Sequence, residues 1–398
     1  MSKGVAVTGM GIISAIGNNV EENYQSLIHK KQGINQIQKI NTIHKDAIKV
    51  GEINFSNDEL VEILGLPKAN NYSRTAMIGE VAAKEAIKNA NITDINKYRT
   101  GLISATSVGG MDMTEQFFYS HFEEDTNHRY IESHNAGDSS QKIAKSLGIN
   151  ELVTTISTAC SSSANAIMLG ARLIKAGKLD RVVVGGTDCL SKFTINGFKT
   201  LMILSQTDCK PFDENRTGLN LGEAAAFLVL ESDEVVKKEN KKALAYVSGY
   251  ANANDAFHQT ASSADGQGAT LAMQKALKVA KLSPKDIDYI NAHGTATPNN
   301  DQSESHAIIN IFGAEIPDFS STKAYTGHTL AAAAAIEAVY SILALQHKTM
   351  FPNLNFKTPI QETNLTPVTE VKKKDLNHVL SNSFGFGGNC STLIFSKS

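Results

Sequence analysis

Four side chains able to act as nucleophile, base, donor or cation stand in small-residue loops beside apolar segments. Cys160 lies in Ser157-Thr-Ala-Cys160-Ser-Ser-Ser163, and His293 in Asn291-Ala-His293-Gly-Thr-Ala-Thr-Pro-Asn-Asn-Asp301. Lys323 and His328 share Ser320-Ser-Thr-Lys323-Ala-Tyr-Thr-Gly-His328. The thiol follows the apolar run 152–156 and opens a helical pattern, so the chain turns from strand to helix at Cys160. The first N–H groups of a helix lack intrahelical partners and carry the positive end of its dipole, which predicts a depressed thiol pKa. That matters for a nucleophile, because an ordinary thiol of pKa about 8.5 is only a few per cent ionised at neutral pH. His293 follows an apolar strand and precedes a glycine, a place at the C-terminal rim of a sheet where α/β proteins hold ligands. A fourth loop, Asn382-Ser-Phe384-Gly-Phe-Gly-Gly-Asn389, has the glycines that a moving segment needs.

The elements that must position these loops alternate between short apolar runs and helical patterns. Strands are expected at 5–8, 99–105, 180–186, 224–230, 243–247 and 289–292; helices at 72–90, 160–176, 270–280 and 328–347. The order is α/β with buried strands and crossover helices. Gly9-Met-Gly-Ile-Ile-Ser14 approximates a dinucleotide fingerprint, but Ser14 replaces the third glycine and no acidic residue closes a second strand. Its glycines read instead as a tight strand-to-helix turn. The polar run 231–242 reads as a solvated connector, which divides the chain into halves 1–240 and 241–398. A strand followed later by Cys160 and a helix, and a strand followed later by Lys323 and a helix, suggest two similar halves with a site where they meet.

Composition limits the partners. The 398-residue chain is 41% hydrophobic and 20% charged, with a formal charge of −2, so it predicts neither nucleic-acid wrapping nor adhesion to acidic membranes. The N-terminus has no signal-peptide pattern, and the apolar run 330–345 contains Glu337 and is short for a bilayer, which predicts a cytosolic protein. The 4 cysteines show neither CxxC pairing nor metal-ligand spacing. Cys189 and Cys209 read as small buried apolar residues.

Together, Thr158-Ala-Cys160-Ser-Ser-Ser, His293-Gly-Thr-Ala-Thr-Pro-Asn-Asn-Asp, Ser321-Thr-Lys-Ala-Tyr-Thr-Gly-His328 and Asn382-Ser-Phe-Gly-Phe-Gly-Gly resemble, in order, the motifs of elongating β-ketoacyl-acyl-carrier-protein synthases of the thiolase superfamily. Lys210-Pro-Phe-Asp-Glu-Asn-Arg216 resembles a fifth, and the resemblance runs over essentially the whole chain. It implies a thiolase-like fold in five layers, αβαβα. It also implies a Cys160–His293–His328 triad that performs a decarboxylative condensation of an acyl-enzyme thioester with malonyl-carrier protein, in fatty-acid or polyene biosynthesis. Lys323 is implied as a buried cation paired with Glu337, an otherwise costly carboxylate among alanines. Asp301 is implied to hold the loops, Thr295 and Thr297 to bind the pantetheine arm, and Phe384 to gate the cysteine. Backbone N–H groups of Cys160 and Phe384 are implied as the oxyanion hole.

No cofactor of the enzyme's own is implied, since the carrier supplies the phosphopantetheine arm. The implied partners are an acidic acyl carrier protein, met by basic residues at the channel mouth, and a second synthase subunit in a homodimer or a heterodimer with a paralogue. Alanines at 331–335, Thr217 to Ala226, and Asn389-Cys390 depart from the family pattern. Extra methyl groups beside a narrow channel change which chains fit. They predict a specialised enzyme, for example one building an aryl polyene pigment. The rival readings are a biosynthetic thiolase, for which the second cysteine is misplaced at Cys390, and a non-catalytic chain-length factor, which loses its nucleophile.

Overall fold

The computed structural model describes residues 4–123 and 127–398. Five strands from the first half, β1 (Val5–Ser14), β2 (Thr100–Ala105), β3 (Leu152–Ile156), β4 (Arg181–Asp188) and β5 (Ala224–Glu231), lie in the order β3-β2-β4-β5-β1. Five more, β6 (Ala245–Asn254), β7 (Tyr289–Asn291), β8 (Asp318–Ser320), β9 (His378–Gly385) and β10 (Asn389–Ser396), lie in the order β8-β7-β9-β10-β6. Numbered within its own run, each set reads 3-2-4-5-1. The directions repeat too: in each set strands 2, 3 and 4 pair in parallel, while strand 5 is antiparallel to both of its neighbours. The two runs meet where β1 pairs with β6, Val5 opposite Val247.

Layering follows from which side chains the strands bury. Val182 and Val184 face inward with α3 (Ser162–Lys175) and α6 (Ala333–His347), whereas Val183 between them packs outward with α1 (Arg74–Asn89) and α2 (Ala136–Leu147). On the other run, Leu380 and Ile394 pack outward against α4 (Gln267–Ala280) and α5 (Pro298–Phe312). The result is five layers, with α3 and α6 sandwiched between the two runs of strands. Every residue of α6 from Ala333 to Leu345 is buried, as a helix enclosed on all sides requires. The apolar stretch Leu330–His347 is therefore a core helix.

Three local expectations are corrected. Gly9 to Ser14 is not a turn but the continuation of β1. A Cβ at Gly9 or Gly11 would stand 2.4 Å from the Ala86 carbonyl or 2.2 Å from that of Ala82, so these glycines let α1 lie directly on the sheet. The run 231–242 is not wholly a solvated connector. Glu231 is fully buried between Arg181 and Lys241, and Asp233–Lys238 is a short helix capped by Ser232. The segment 291–301, placed in a loop, runs into a helix at its end: Pro298–Phe312 form α5, and Pro298 at its first turn and Thr297 as its N-cap are the signals that mark it.

Candidate active site

The loops leaving β3, β7, β8 and β9 converge. One cavity of about 400 Å³ has Cys160, His293, His328, Phe384, Thr295 and Thr297 in its wall. Lys323, Asp301 and Glu337 are buried behind that wall. Among the described residues no lysine or arginine lines the cavity, so the basic residues expected at a channel mouth are not found in that lining.

The Cys160 turn is built by its neighbours. Ala159 is held at φ +52, a left-handed conformation that costs a residue with a Cβ about 1–2 kcal/mol. The Thr158 N–H donates to Ser162 Oγ at 2.8 Å, and Ser161 Oγ donates to Asn389 at 2.7 Å. Ser163 Oγ accepts from the Ala335 N–H at 2.9 Å and so ties α3 to α6. The serine triplet thus satisfies the turn that displays the thiol two residues before α3 begins.

The thiol itself corrects an expectation. Burial pushes it up to about 11, opposed by the Lys323 ammonium and by the backbone N–H of Phe386. The depressed value expected from the helix start is therefore not what burial leaves at this thiol.

The two histidines are different kinds of group. His328 Nδ1 accepts the Leu330 N–H at 3.0 Å, which leaves the ring proton on Nε2 and makes that nitrogen a donor. Its ring stands perpendicular to that of His293, with centroids 5.5 Å apart. His293 Nδ1 is buried without a hydrogen-bond partner among the described residues. Burial and the Lys323 charge lower both imidazoles, His328 to about 3 and His293 well below its ordinary value, so both rings are neutral at neutral pH.

Lys323 reaches Glu337 in a buried ion pair, and Ser383 Oγ lies at 3.5 Å from the other carboxylate oxygen. The loop carrying His293 is gathered by two carboxylates. Glu304, absent from the sequence reading, accepts the N–H groups of His293 and Gly294 at 2.9 and 2.8 Å. Asp301 accepts those of Ala296 and Phe212 at 3.1 and 2.7 Å, and both donor residues are left-handed. Burial raises both acids, Glu304 to about 7. Thr295 and Thr297 share a 2.9 Å hydroxyl contact, and Thr297 also caps α5.

The resemblance implies Phe384 as the aromatic gate, whereas the phenylalanine that stands on the glycine loop with its N–H at Cys160 is Phe386; both line the cavity. Phe384 is buried at 7% exposure in the outer core, its ring 5.6 Å from that of His293. Phe386 is half-buried between Gly385 and Gly387, stacks on Phe198 at 5.8 Å, and aims its N–H at the Cys160 sulfur. That geometry gives Phe386, not Phe384, the N–H beside the nucleophile. A Cβ on Gly385 would stand 2.8 Å from the Thr158 carbonyl and 3.2 Å from the Cys160 nitrogen, so only glycine lets the gate loop lie on this turn.

The structure thus brings Cys160, His293 and His328 to one cavity with Lys323 behind them, the grouping that the resemblance to condensing enzymes implies. Residues 2–235 match the family described as "Beta-ketoacyl synthase, N-terminal domain", and residues 244–357 match "Beta-ketoacyl synthase, C-terminal domain". The chain belongs to the β-ketoacyl synthase family. It is 33% identical over 413 aligned positions to 3-oxoacyl-[acyl-carrier-protein] synthase 2 of Staphylococcus aureus, covering 100% of this chain and 99% of that one. Among solved structures it is similar to the ishigamide ketosynthase/chain length factor, with TM-score 0.94, 28% identity and full coverage of both chains. It is also similar to a ketosynthase (ApeO) in complex with its chain length factor (ApeC) from Xenorhabdus doucetiae, with TM-score 0.87, 32% identity and coverage of 100% and 98%. The fold is the thiolase-like one that the motifs imply.

Proposed function

We propose that this enzyme is an elongating 3-oxoacyl synthase that takes both substrates from acyl carrier protein, in a pathway making polyene chains. The observation that carries the reaction is the convergence of Cys160, His293 and His328 on one cavity, with a proton held on His328 Nε2; the polyene pathway rests on the departures from the family pattern at 331–335, 217–226 and 389–390. Cys160 attacks the primer thioester, the acyl group moves to sulfur, and the carrier leaves as its free thiol. Malonyl-carrier then loses carbon dioxide, and negative charge develops on its thioester oxygen. Neutral imidazole N–H groups meet that charge, each donor contributing on the order of 3 kcal/mol to lowering the barrier. The carbanion attacks the acyl-Cys160 carbonyl, whose oxyanion is met by the N–H groups of Cys160 and Phe386. Collapse releases the β-ketoacyl-carrier and returns the thiolate, which takes up a proton.

Thr295 and Thr297 bind the pantetheine arm, and Lys323 with Glu337 keeps a positive charge behind both rings. Residues 1–240 and 241–398 act as two related halves, a reading supported by the repeated 3-2-4-5-1 strand order. The proposal carries a cytoplasmic location with it, a compartment in which the four thiols stay reduced. The working unit pairs this chain with a second synthase-like subunit; the solved ketosynthase in complex with its chain length factor supports this. Cys390, the thiol that a thiolase reading would recruit, lines the same cavity, but burial and nearby carboxylates push it to about 12.

Intact mass after incubation with octanoyl-carrier and, separately, a polyenoyl-carrier tests the proposal. Adducts on wild type but not on Cys160→Ala, with the polyenoyl primer preferred, are expected. Efficient loading of saturated chains of many lengths, with the polyenoyl primer ignored, overturns the polyene reading.

A further inference from the structure

The carboxylate of Asp188, at the end of β4, is fully buried, and among the described residues no cationic side chain pairs with it. Its Oδ1 accepts from Thr106 Oγ1 and from the N–H groups of Ser107 at 3.1 Å and Val108 at 3.3 Å. Its Oδ2 accepts from the N–H groups of Ser107 at 3.0 Å and Ala331 at 2.9 Å. The first group lies in the loop after β2, and Ala331 lies in the turn that leads into α6. One anion therefore joins the two halves of the molecule.

The Ala331 contact sits next to a strained residue. Leu330 is left-handed at φ +53, an unfavourable state for a residue with a branched side chain, and persists only where its surroundings hold it. Leu330 is also the residue whose N–H reaches His328 Nδ1. On the other side, Ser107 Oγ lies 3.4 Å from the carbonyl of left-handed Ala159, beside Cys160. The repeat of the fold explains the placement. The end of β9 lies on the turn before α3, where a Cβ on Gly385 would meet Thr158; the end of β4 lies on the turn before α6, where a Cβ on Gly186 would stand 2.9 Å from the Ala331 carbonyl.

We propose that Asp188 is a positioning residue for His328: by holding the Ala331 N–H it keeps Leu330 left-handed and its N–H on Nδ1, which fixes the catalytic proton on Nε2. The carboxylate touches neither ring. This inference rests on the reading of His328 as a donor to the malonyl oxygen.

Asp188→Asn is nearly isosteric, yet it must set amide N–H groups against the Ala331 N–H or against those of Ser107 and Val108. Ring-nitrogen NMR of histidine and the rate of carbon dioxide release from malonyl-carrier read the consequence, with Cys160 acylation as an internal comparison. Wild type shows the Nε2–H form of His328. D188N shows a mixture of ring forms and releases carbon dioxide at least roughly tenfold more slowly, part of what losing one oxyanion donor costs. Its acylation rate changes less than decarboxylation does. Thr106→Val removes a donor on the far side of the same carboxylate and leaves the ring form and carbon dioxide release unchanged. Should the amide prevent folding, Asp188→Ser, which faces the donors with no amide, gives the same reading. An unchanged ring form in D188N overturns the proposal, as does an equal disturbance by T106V, which is general loosening. A changed ring form with carbon dioxide release intact supports the positioning role and overturns instead the reading of His328 as the donor.

Discussion

Replacing Lys323 with methionine leaves the buried Glu337 carboxylate with no cation beside it among the described residues. Burial raises the Glu337 carboxyl and the Lys323 charge opposes that rise, so without Lys323 the folded protein takes up a proton on Glu337. The sign follows from linkage. A carboxyl whose folded pKa lies above its unfolded value contributes stability below that unfolded value, about 4.3, and loses it as pH rises toward the folded pKa. Each pH unit in between costs about 1.4 kcal/mol. The neutral comparator is the double variant K323M/E337Q, in which nothing at this site titrates. Relative to it, K323M is less stable by about 1.6 kcal/mol at pH 5.5 and about 4 kcal/mol at pH 7.5, within the range for breaking a buried pair. Equilibrium urea denaturation at fixed protein concentration measures the gap. A gap that does not change between those two pH values refutes the reasoning, because Glu337 would then be compensated by something other than Lys323.

Gly385→Ala forces the gate loop off the Cys160 turn, since its Cβ would meet the Thr158 carbonyl at 2.8 Å. Stability falls by about 1–3 kcal/mol and acylation by about a hundredfold, as a misplacement near 1 Å produces; iodoacetamide and acyl-carrier kinetics check this. Histidine ring-nitrogen NMR finds His293 and His328 neutral from pH 5 to 8, because burial and Lys323 lower both, His328 to about 3. A titration near pH 6.5 at either ring contradicts this. Thr297→Val removes the N-cap of α5 and costs about 1 kcal/mol by urea denaturation. It also raises KM for the carrier substrate more than it lowers kcat, the kinetic mark of lost binding.

The three side chains that meet at the cavity were legible because each announces itself: a cysteine between an apolar run and a helix, and histidines beside glycines. The layers were legible from the resemblance, but the 3-2-4-5-1 repeat was only a faint echo in the residues, since strand order is a property of pairing and the two halves differ in side chains. Glycine misled at 9–14, where it signals a close helix rather than a turn. Phe384 and Phe386 look alike in a motif; only the strand register, which buries the first and leaves the second on the glycine loop, separates them. Asp188 and Glu304 were invisible, because a lone acid at a strand end or inside a helix becomes informative only when the N–H groups around it are known.

The central claim is that Cys160 carries the growing chain while the histidines generate the nucleophile. A single-turnover experiment tests it most directly: acyl-loaded enzyme is mixed with malonyl-carrier, and enzyme and carrier masses are followed together. The account predicts that the acyl mass leaves Cys160 as a β-ketoacyl mass appears on the carrier, and that His328→Ala keeps the acyl-enzyme but stalls transfer. Transfer at an undiminished rate in His328→Ala, or a product formed by Cys160→Ala, would contradict it.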